Sequence, residues 1–187
     1  MEKKLGFEKK RPKKVLFLCA ITFQKKEDLL FIKKLLIGYF GAIHKTSDII
    51  EFSKLTSFYE AEMGKNLQKC LVSFNCFKDL ENLYQTKKQM VELELKYAKQ
   101  RKRTFNLDVG YLTLSKVALF STKDFAHRIY INEGIFAEAT LFFSKTVQSF
   151  KGYYYTYKDF NLKEFIIFLN QERVFYKQNI GSSEDLW

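Results

Sequence analysis

Proline occurs once in this 187-residue chain and glycine eight times. So little turn-forming material leaves no room for long flexible linkers, and no internal repeat or low-complexity tract is present. Histidine occurs twice and cysteine three times. Cys19, Cys70 and Cys76 form no CxxC pair, and their odd number does not suggest a disulfide framework. With so few candidate ligands, no metal site is expected. The thiols read as small buried hydrophobes in a reducing, cytoplasmic setting. The chain also has no long apolar run. Val15–Phe23 follows a basic stretch and has the outline of a signal peptide, but it ends in Gln24-Lys25-Lys26 without a small-residue cleavage site. It is too short to span a bilayer, so no membrane partner is expected.

What the chain has in quantity is aromatic area: 20 Phe and 11 Tyr, within a hydrophobic share of 47%. Such rings bury large apolar surface while few torsions are frozen. The length suits one domain, expected over 14–180, with a basic disordered tail at 1–13 and a loose tail at 181–187. The net charge is +11, which invites a nucleic-acid reading. Lys outnumbers Arg by 27 to 5, however, whereas phosphate and base recognition draws on Arg's planar fork. Much of the excess lies in the N-terminal tail, and general basic composition explains the rest.

Periodicity gives a coarse map. Val15–Phe23 reads as a central strand buried on both faces. A helix is expected from Glu27 to Tyr39, with Leu29, Ile32, Leu36 and Tyr39 inward and Gly41 as its stop. Strands are expected near 47–53, 57–62 and 67–77. Asp79 is placed to cap a long helix reaching about Gln100, whose basic end (Lys96, Lys99, Arg101, Lys102, Arg103) complements the helix dipole. Strands follow at 111–121, 127–132 and 135–143. Asn161 and Glu164 have capping-box spacing before a last helix to Asn179. This order predicts an α+β fold: a two-layer sandwich with a mixed, largely antiparallel sheet and three main helices, elaborated from a ferredoxin-like core.

The most readable passage is His127 to Leu141. A three-residue loop, Asn132-Glu133-Gly134, is expected, because a two-residue turn would force Glu133 to positive φ. That register pairs Ile131 with Ile135, Ile129 with Ala137 and His127 with Ala139. On the other face it pairs Tyr130 with Phe136 and Arg128 with Glu138. The last pair is either a cross-strand ion pair or an Arg held by Glu and aimed at an anion, with Lys123 and Asp124 close by.

Four ordered stretches are also familiar. Phe58-Tyr59-Glu60-Ala61-Glu62-Met63-Gly64 resembles a YYExEMG signature, and Asn106-Leu107-Asp108-Val109-Gly110-Tyr111-Leu112 resembles NLDPGYL. Lys123 to Tyr130 with Gly134 to Glu138 resembles KDxxHRIYL…GIYAE, and Thr156 to Phe160 is similar to TYxDY. Together they resemble the bacterial family called domain of unknown function 4416 (DUF4416) over roughly 14–180. The departures, Val109 for Pro and Phe58 for Tyr, remove no ionisable group. The resemblance implies membership but brings no catalytic residue with it. Family members are sometimes labelled GTP-binding, yet this chain has no GxxxxGK[ST] loop and no NKxD motif.

The candidate site is therefore built from residues alone. Glu60 and Glu62, if extended, share a face and suit a cation or acid–base work. Asp108 and His127 are the proton-transfer candidates. Lys123 and Arg128 would receive an anionic group, with Asp124 and Glu138 alongside. The expected function is binding of a small molecule or nucleotide phosphate, with catalysis left open and no cofactor implied. The rivals are an RNA-binding module, using Lys96–Arg103 with bases stacked on Tyr153, Tyr154 or Tyr155, and a scaffold presenting exposed aromatics to a protein partner.

Overall fold

The computed structural model describes residues 14–180, and the two expected tails lie outside the described residues. β1 (Val15–Phe23) is buried along its whole length. Its residues Phe17, Cys19 and Ile21 belong to one hydrophobic core, while Leu16, Leu18 and Ala20 belong to a second. Successive side chains of a strand point to opposite faces, so this one apolar run forms the wall between two cores.

α1 (Lys26–Phe40) buries Leu29, Ile32, Leu36 and Phe40 in the first core, a spacing that keeps them on one helical face. The Asp28 carboxylate accepts from the Lys25 N–H at 2.9 Å and ties the first turn. Gly41, at φ 86, stops the helix as expected. Tyr39 is exposed and Phe40 takes its inward place.

The next stretch departs most from expectation. β2 (Ile43–Thr46) and β3 (Ile50–Glu51) replace the single strand read at 47–53, and a 3-10 turn at Phe52–Lys54 follows. At 57–62 there is no strand: α2 (Glu60–Met63) is one helical turn, stopped by Gly64 at φ 87. The turn brings Met63 against Phe52 and Leu67 in a small third core, a local closure that an extended segment would not make. β4 (Gln68–Lys78) follows.

α3 (Gln85–Lys96) is shorter than the helix read over 79–100. Asn82 at φ 59 interrupts it before the start, and Gln100 and Arg101 at φ 51 and 62 turn the chain after it. The strand read at 111–121 is two strands, β5 (Asn106–Leu112) and β6 (Lys116–Ser121). Between them the Thr113 N–H donates to the Lys116 carbonyl at 2.9 Å, closing a tight turn. β7 (Ile129–Asn132), β8 (Ile135–Ser144) and β9 (Ser149–Gly152) lead to a 3-10 turn at Lys158–Asn161 and to α4 (Lys163–Ile180). β9 has no counterpart in the sequence reading.

All strand pairs are antiparallel, in the order β2-β4-β1-β5-β6-β8-β7, with β3 on β4 and β9 on β8. The units β1-α1-β2 and β4-α3-β5 each cross over one intervening strand, which is the split βαβ arrangement of a ferredoxin-like core. α1 and α3 cover the first face. β6 to β9 extend the sheet beyond β5, and α4 covers the second face with Phe165, Phe168, Leu169 and Tyr176. The α+β class holds, and α4 adds a third layer to the expected two.

The β7–β8 hairpin keeps most of its expected register: Ile129 pairs with Ala137 and Tyr130 with Phe136. The turn differs. Asn132 pairs with Ile135, Ile131 is bulged, and Glu133 and Gly134 take φ 49 and 77, a two-residue turn with both central residues left-handed. Its strain is offset locally, because Glu133 N–H donates to Asn132 Oδ1 at 3.0 Å, Asn132 Nδ2 donates to the Tyr84 hydroxyl at 2.9 Å, and Lys88 pairs with Glu133.

Candidate functional site

The site begins with a missing neighbour. β5 pairs with β6 only over Gly110–Leu112, so residues 106–109 have β1 on one side and no strand on the other among the described residues. A buried strand edge must still satisfy its backbone, and α3 supplies the partners. Leu107 N–H donates to Glu94 Oε1 at 2.7 Å, and Lys87 Nζ donates to the Leu107 carbonyl at 2.8 Å. Lys87 and Glu94 are seven residues apart, two helical turns, and therefore share the face that meets β5. Gly110 sits where the strands still touch: a Cβ there would meet the backbone carbonyl of Ala118.

Where β5 and β6 part, a cleft of about 600 Å³ opens. Its floor comes from Lys69 on β4 and Asn106 and Asp108 on β5. Its walls come from the 52–59 segment, the end of β6, the 121–128 loop, Glu138 on β8 and the 155–160 segment. Six basic side chains line it (Lys69, Lys87, Arg103, Lys123, Arg128, Lys158) and four acidic ones (Glu94, Asp108, Glu138, Asp159), a formal excess of two positive charges.

Most of these charges are engaged with one another. Arg103 holds Glu62 through two parallel bonds, Nε to Oε1 at 2.6 Å and Nη2 to Oε2 at 2.7 Å, the bidentate geometry that suits a guanidinium. Its Nη1 donates to Glu94 at 3.0 Å and to Asn106 at 2.6 Å. Asn106 in turn donates to Asp108 Oδ2 at 2.8 Å, while Lys87 donates to Asp108 Oδ1 at 3.1 Å. Burial alone would raise the Asp108 pKa, but the Lys87 and Lys69 ammonium groups reverse this and bring it down to about 2. Burial raises the Glu94 carboxyl above its ordinary range, against the pull of Lys87. Lys69 meets Asp159 at 2.5 Å beneath the rings of Phe52 and Phe160. Burial pulls its ammonium down, and Asp159 and Asp108 more than restore it, leaving its pKa raised.

Arg128 and Glu138 meet as the hairpin register requires, Nε to Oε2 at 2.8 Å, with both side chains buried. Arg128 Nη1 donates to Ser121 Oγ at 2.7 Å and to the Lys123 carbonyl at 3.0 Å. Its Nη2 has only the Tyr157 hydroxyl, at 3.4 Å. Lys123 has no carboxylate within ion-pair distance among the described residues; its ammonium lies 4.4 Å over the Phe58 ring. Desolvation first, and then the Arg103 and Arg128 charges, lower its pKa.

Of the residues singled out from the sequence, the cleft wall brings together Asp108, Lys123, Arg128 and Glu138. Glu62 stands behind the wall, tied to Arg103. Glu60 and Asp124 are not part of the wall, and the expected common face of Glu60 and Glu62 goes with the strand that α2 replaces. His127 also lies outside the wall. It precedes β7 rather than pairing with Ala139, its Nε2 is 3.2 Å from Glu138 Oε2, and its ring stacks on Tyr155 at 4.6 Å. Sequence reasoning missed Lys69, Lys87, Glu94, Asp159, Tyr59 and Tyr157, and it assigned Arg103 to a helix end. The one available signal was Lys87 and Glu94 at heptad spacing on a helix whose apolar stripe is sparse.

Among the described residues no group of three His, Cys, Asp or Glu side chains is placed to hold a metal ion. The thiols are free, and burial pushes Cys70 up to about 12 and Cys19 well above its ordinary value, so neither is a ready nucleophile. Tyr153 and Tyr155 stack on each other at 5.2 Å, whereas Tyr154 is 97% exposed.

The fold and cleft thus define an elaborated ferredoxin-like α+β protein with a cationic pocket where two strands part. The chain belongs to the family described as domain of unknown function DUF4416, whose model matches residues 13–176. No curated protein and no solved structure matches it. No helix among the described residues is long and apolar enough to cross a membrane.

Proposed function

We propose that the cleft binds a small phosphorylated molecule, a nucleotide or sugar phosphate among the class. One asymmetry carries this reading: the acids are occupied and part of the cationic surface is not. Glu94, Asp108 and Glu138 each have both oxygens committed to protein donors, and Asp159 gives one oxygen to Lys69. Lys123 and Arg128 Nη2 keep donors to spare. A cationic ligand would find no free carboxylate among those three, whereas an anion would find a partly desolvated ammonium beside a guanidinium that Glu138 already orients. His127 acts in this reading by positioning Glu138, and Asp108 by balancing the floor lysines. The free, largely buried thiols fit a cytoplasmic protein.

The test is a thermal-shift panel of nucleotides, sugar phosphates and divalent ions at constant ionic strength, since a specific ligand stabilises the native state by mass action. Lys123→Ala, at an exposed position, should keep its own Tm and lose the shift. A panel that leaves the wild-type Tm unmoved, or a Lys123→Ala variant that shifts as the wild type does, would refute the proposal.

A further inference from the structure

We infer that the ligand carries a single phosphomonoester on an uncharged aromatic body, and that nucleoside monophosphates and aryl phosphates fit the cleft better than di- or triphosphates. This rests on the phosphate-binding reading above and narrows it.

The charge balance sets the number of phosphoryl groups. Two ammonium groups of the lining, Lys123 and Lys158, have no acid partner among the described residues, and a phosphomonoester carries about −1.5 to −2 near neutral pH. A triphosphate would bring a larger negative charge into a wall whose other four cations, Lys69, Lys87, Arg103 and Arg128, are already held by acids. Nor does the chain supply the glycine-rich backbone cradle that polyphosphates use. The spare donors are few: Lys123 Nζ, Lys158 Nζ, Arg128 Nη2 and the Tyr157 hydroxyl, with the Tyr59 hydroxyl, also of the lining, free of hydrogen bonds among the described residues. The three terminal oxygens of one phosphoryl group are enough to engage donors of that small set.

The walls set the body. About 600 Å³ is far more than one phosphate needs, and much of the lining is apolar, with Phe52, Leu55, Phe120 and Phe160 among it. Phe58 is 66% exposed and carries the Lys123 ammonium over its ring; Phe125 stands 4.7 Å from the Arg128 guanidinium. The two groups that would take the phosphate therefore each adjoin an aromatic ring at the mouth. A ligand whose phosphate sits between Lys123 and Arg128 has these rings beside its body, and stacking rewards a flat ring there. A positive charge on the body would find both oxygens of Glu94, Asp108 and Glu138 already taken, with only the second oxygen of Asp159 left.

The test is calorimetric titration at fixed ionic strength with inorganic phosphate, glycerol phosphate, phenyl phosphate, benzoate, and adenosine mono-, di- and triphosphate. Phenyl phosphate and the monophosphate should bind at least about tenfold more tightly than inorganic phosphate or glycerol phosphate, a ratio set by one stacked ring. The di- and triphosphates should bind no more tightly than the monophosphate, and benzoate should bind more weakly than phenyl phosphate. Affinity should strengthen from pH 5 to pH 7, as the second phosphate proton leaves near pH 6. Phe58→Leu should weaken phenyl phosphate several-fold and by a larger factor than inorganic phosphate. Tighter binding of the triphosphate, equal binding of glycerol phosphate and phenyl phosphate, or indifference to Phe58→Leu overturns the inference while Lys123-dependent anion binding stands. If none of the anions binds, the reading beneath it falls as well.

Discussion

Asp108 shows how a half-buried carboxylate can be strongly acidic. It lies on the floor between two lysines, and its pKa of about 2 stands below the ordinary value of 3.8. A folded-state pKa below the unfolded one means that ionised Asp108 favours the native state. This contribution is present in full above about pH 5 and is lost as the pH falls through about 4 to 2, where the native carboxylate finally takes its proton. At about 1.4 kcal/mol per pKa unit it amounts to about 2 kcal/mol. Glu94 opposes it, since burial raises its pKa and acid relieves its buried charge. Denaturant melts of wild type and Asp108→Asn should therefore differ most near pH 6 and converge by pH 2. A gap that stays constant across this range would contradict the account. Arg128 offers a second test. Removing it by Arg128→Ala leaves Glu138 buried with only His127 and Thr140 as partners, at a cost of about 3–5 kcal/mol. Arg128→Met combined with Glu138→Leu should recover most of that, because both charges then leave together; a double variant no more stable than Arg128→Ala would show that packing dominates. This pair was legible in the sequence because hairpin register is a short-range property. Lys69 with Asp159 was not, since nothing local links residues 90 apart in the chain.

At the scale of elements, α3 does the work of a strand. Its Lys87 and Glu94 side chains supply, in turn, the donor and the acceptor that a ladder partner would offer Leu107. Glu94→Leu should leave the Leu107 N–H without its partner, at about 1–3 kcal/mol. Native-state hydrogen exchange should show that amide losing protection while β1–β5 amides, bonded within the sheet, keep theirs apart from the global loss. Retained Leu107 protection would mean that another group closes the edge. This role explains why the helix was misjudged from sequence. A stripe containing Lys87 and Glu94 reads as solvated, while the apolar Leu95 is exposed. The long apolar elements β1, β4 and α1 were legible because burial on a regular face imposes its period on the chain. α2, β3 and β9 were not. Each is four residues or fewer, too short for a period to emerge.

The whole molecule carries a net charge of +11, and this complicates any search for an anionic ligand. A chain with such an excess repels itself in the compact state, so added salt of any kind should raise its Tm by screening, over a Debye length of about 10 Å at 0.1 M. Site binding is a separate increment. At a ligand concentration a hundred times Kd it adds about 2.7 kcal/mol at one site, on top of the screening effect. Sodium chloride and a phosphomonoester compared at equal ionic strength should therefore give unequal Tm shifts in the wild type. In Lys123→Ala the two shifts should become equal, because removing one charge in 11 scarcely alters the general field yet takes away the ammonium that adjoins Arg128. Two outcomes would place the anion effect on the surface at large: equal shifts in the wild type, or an excess that survives in Lys123→Ala. The ferredoxin-like scaffold would then stand as built, with Arg128 and Glu138 as a buried structural pair and the parting of β5 and β6 sealed by α3 for stability alone.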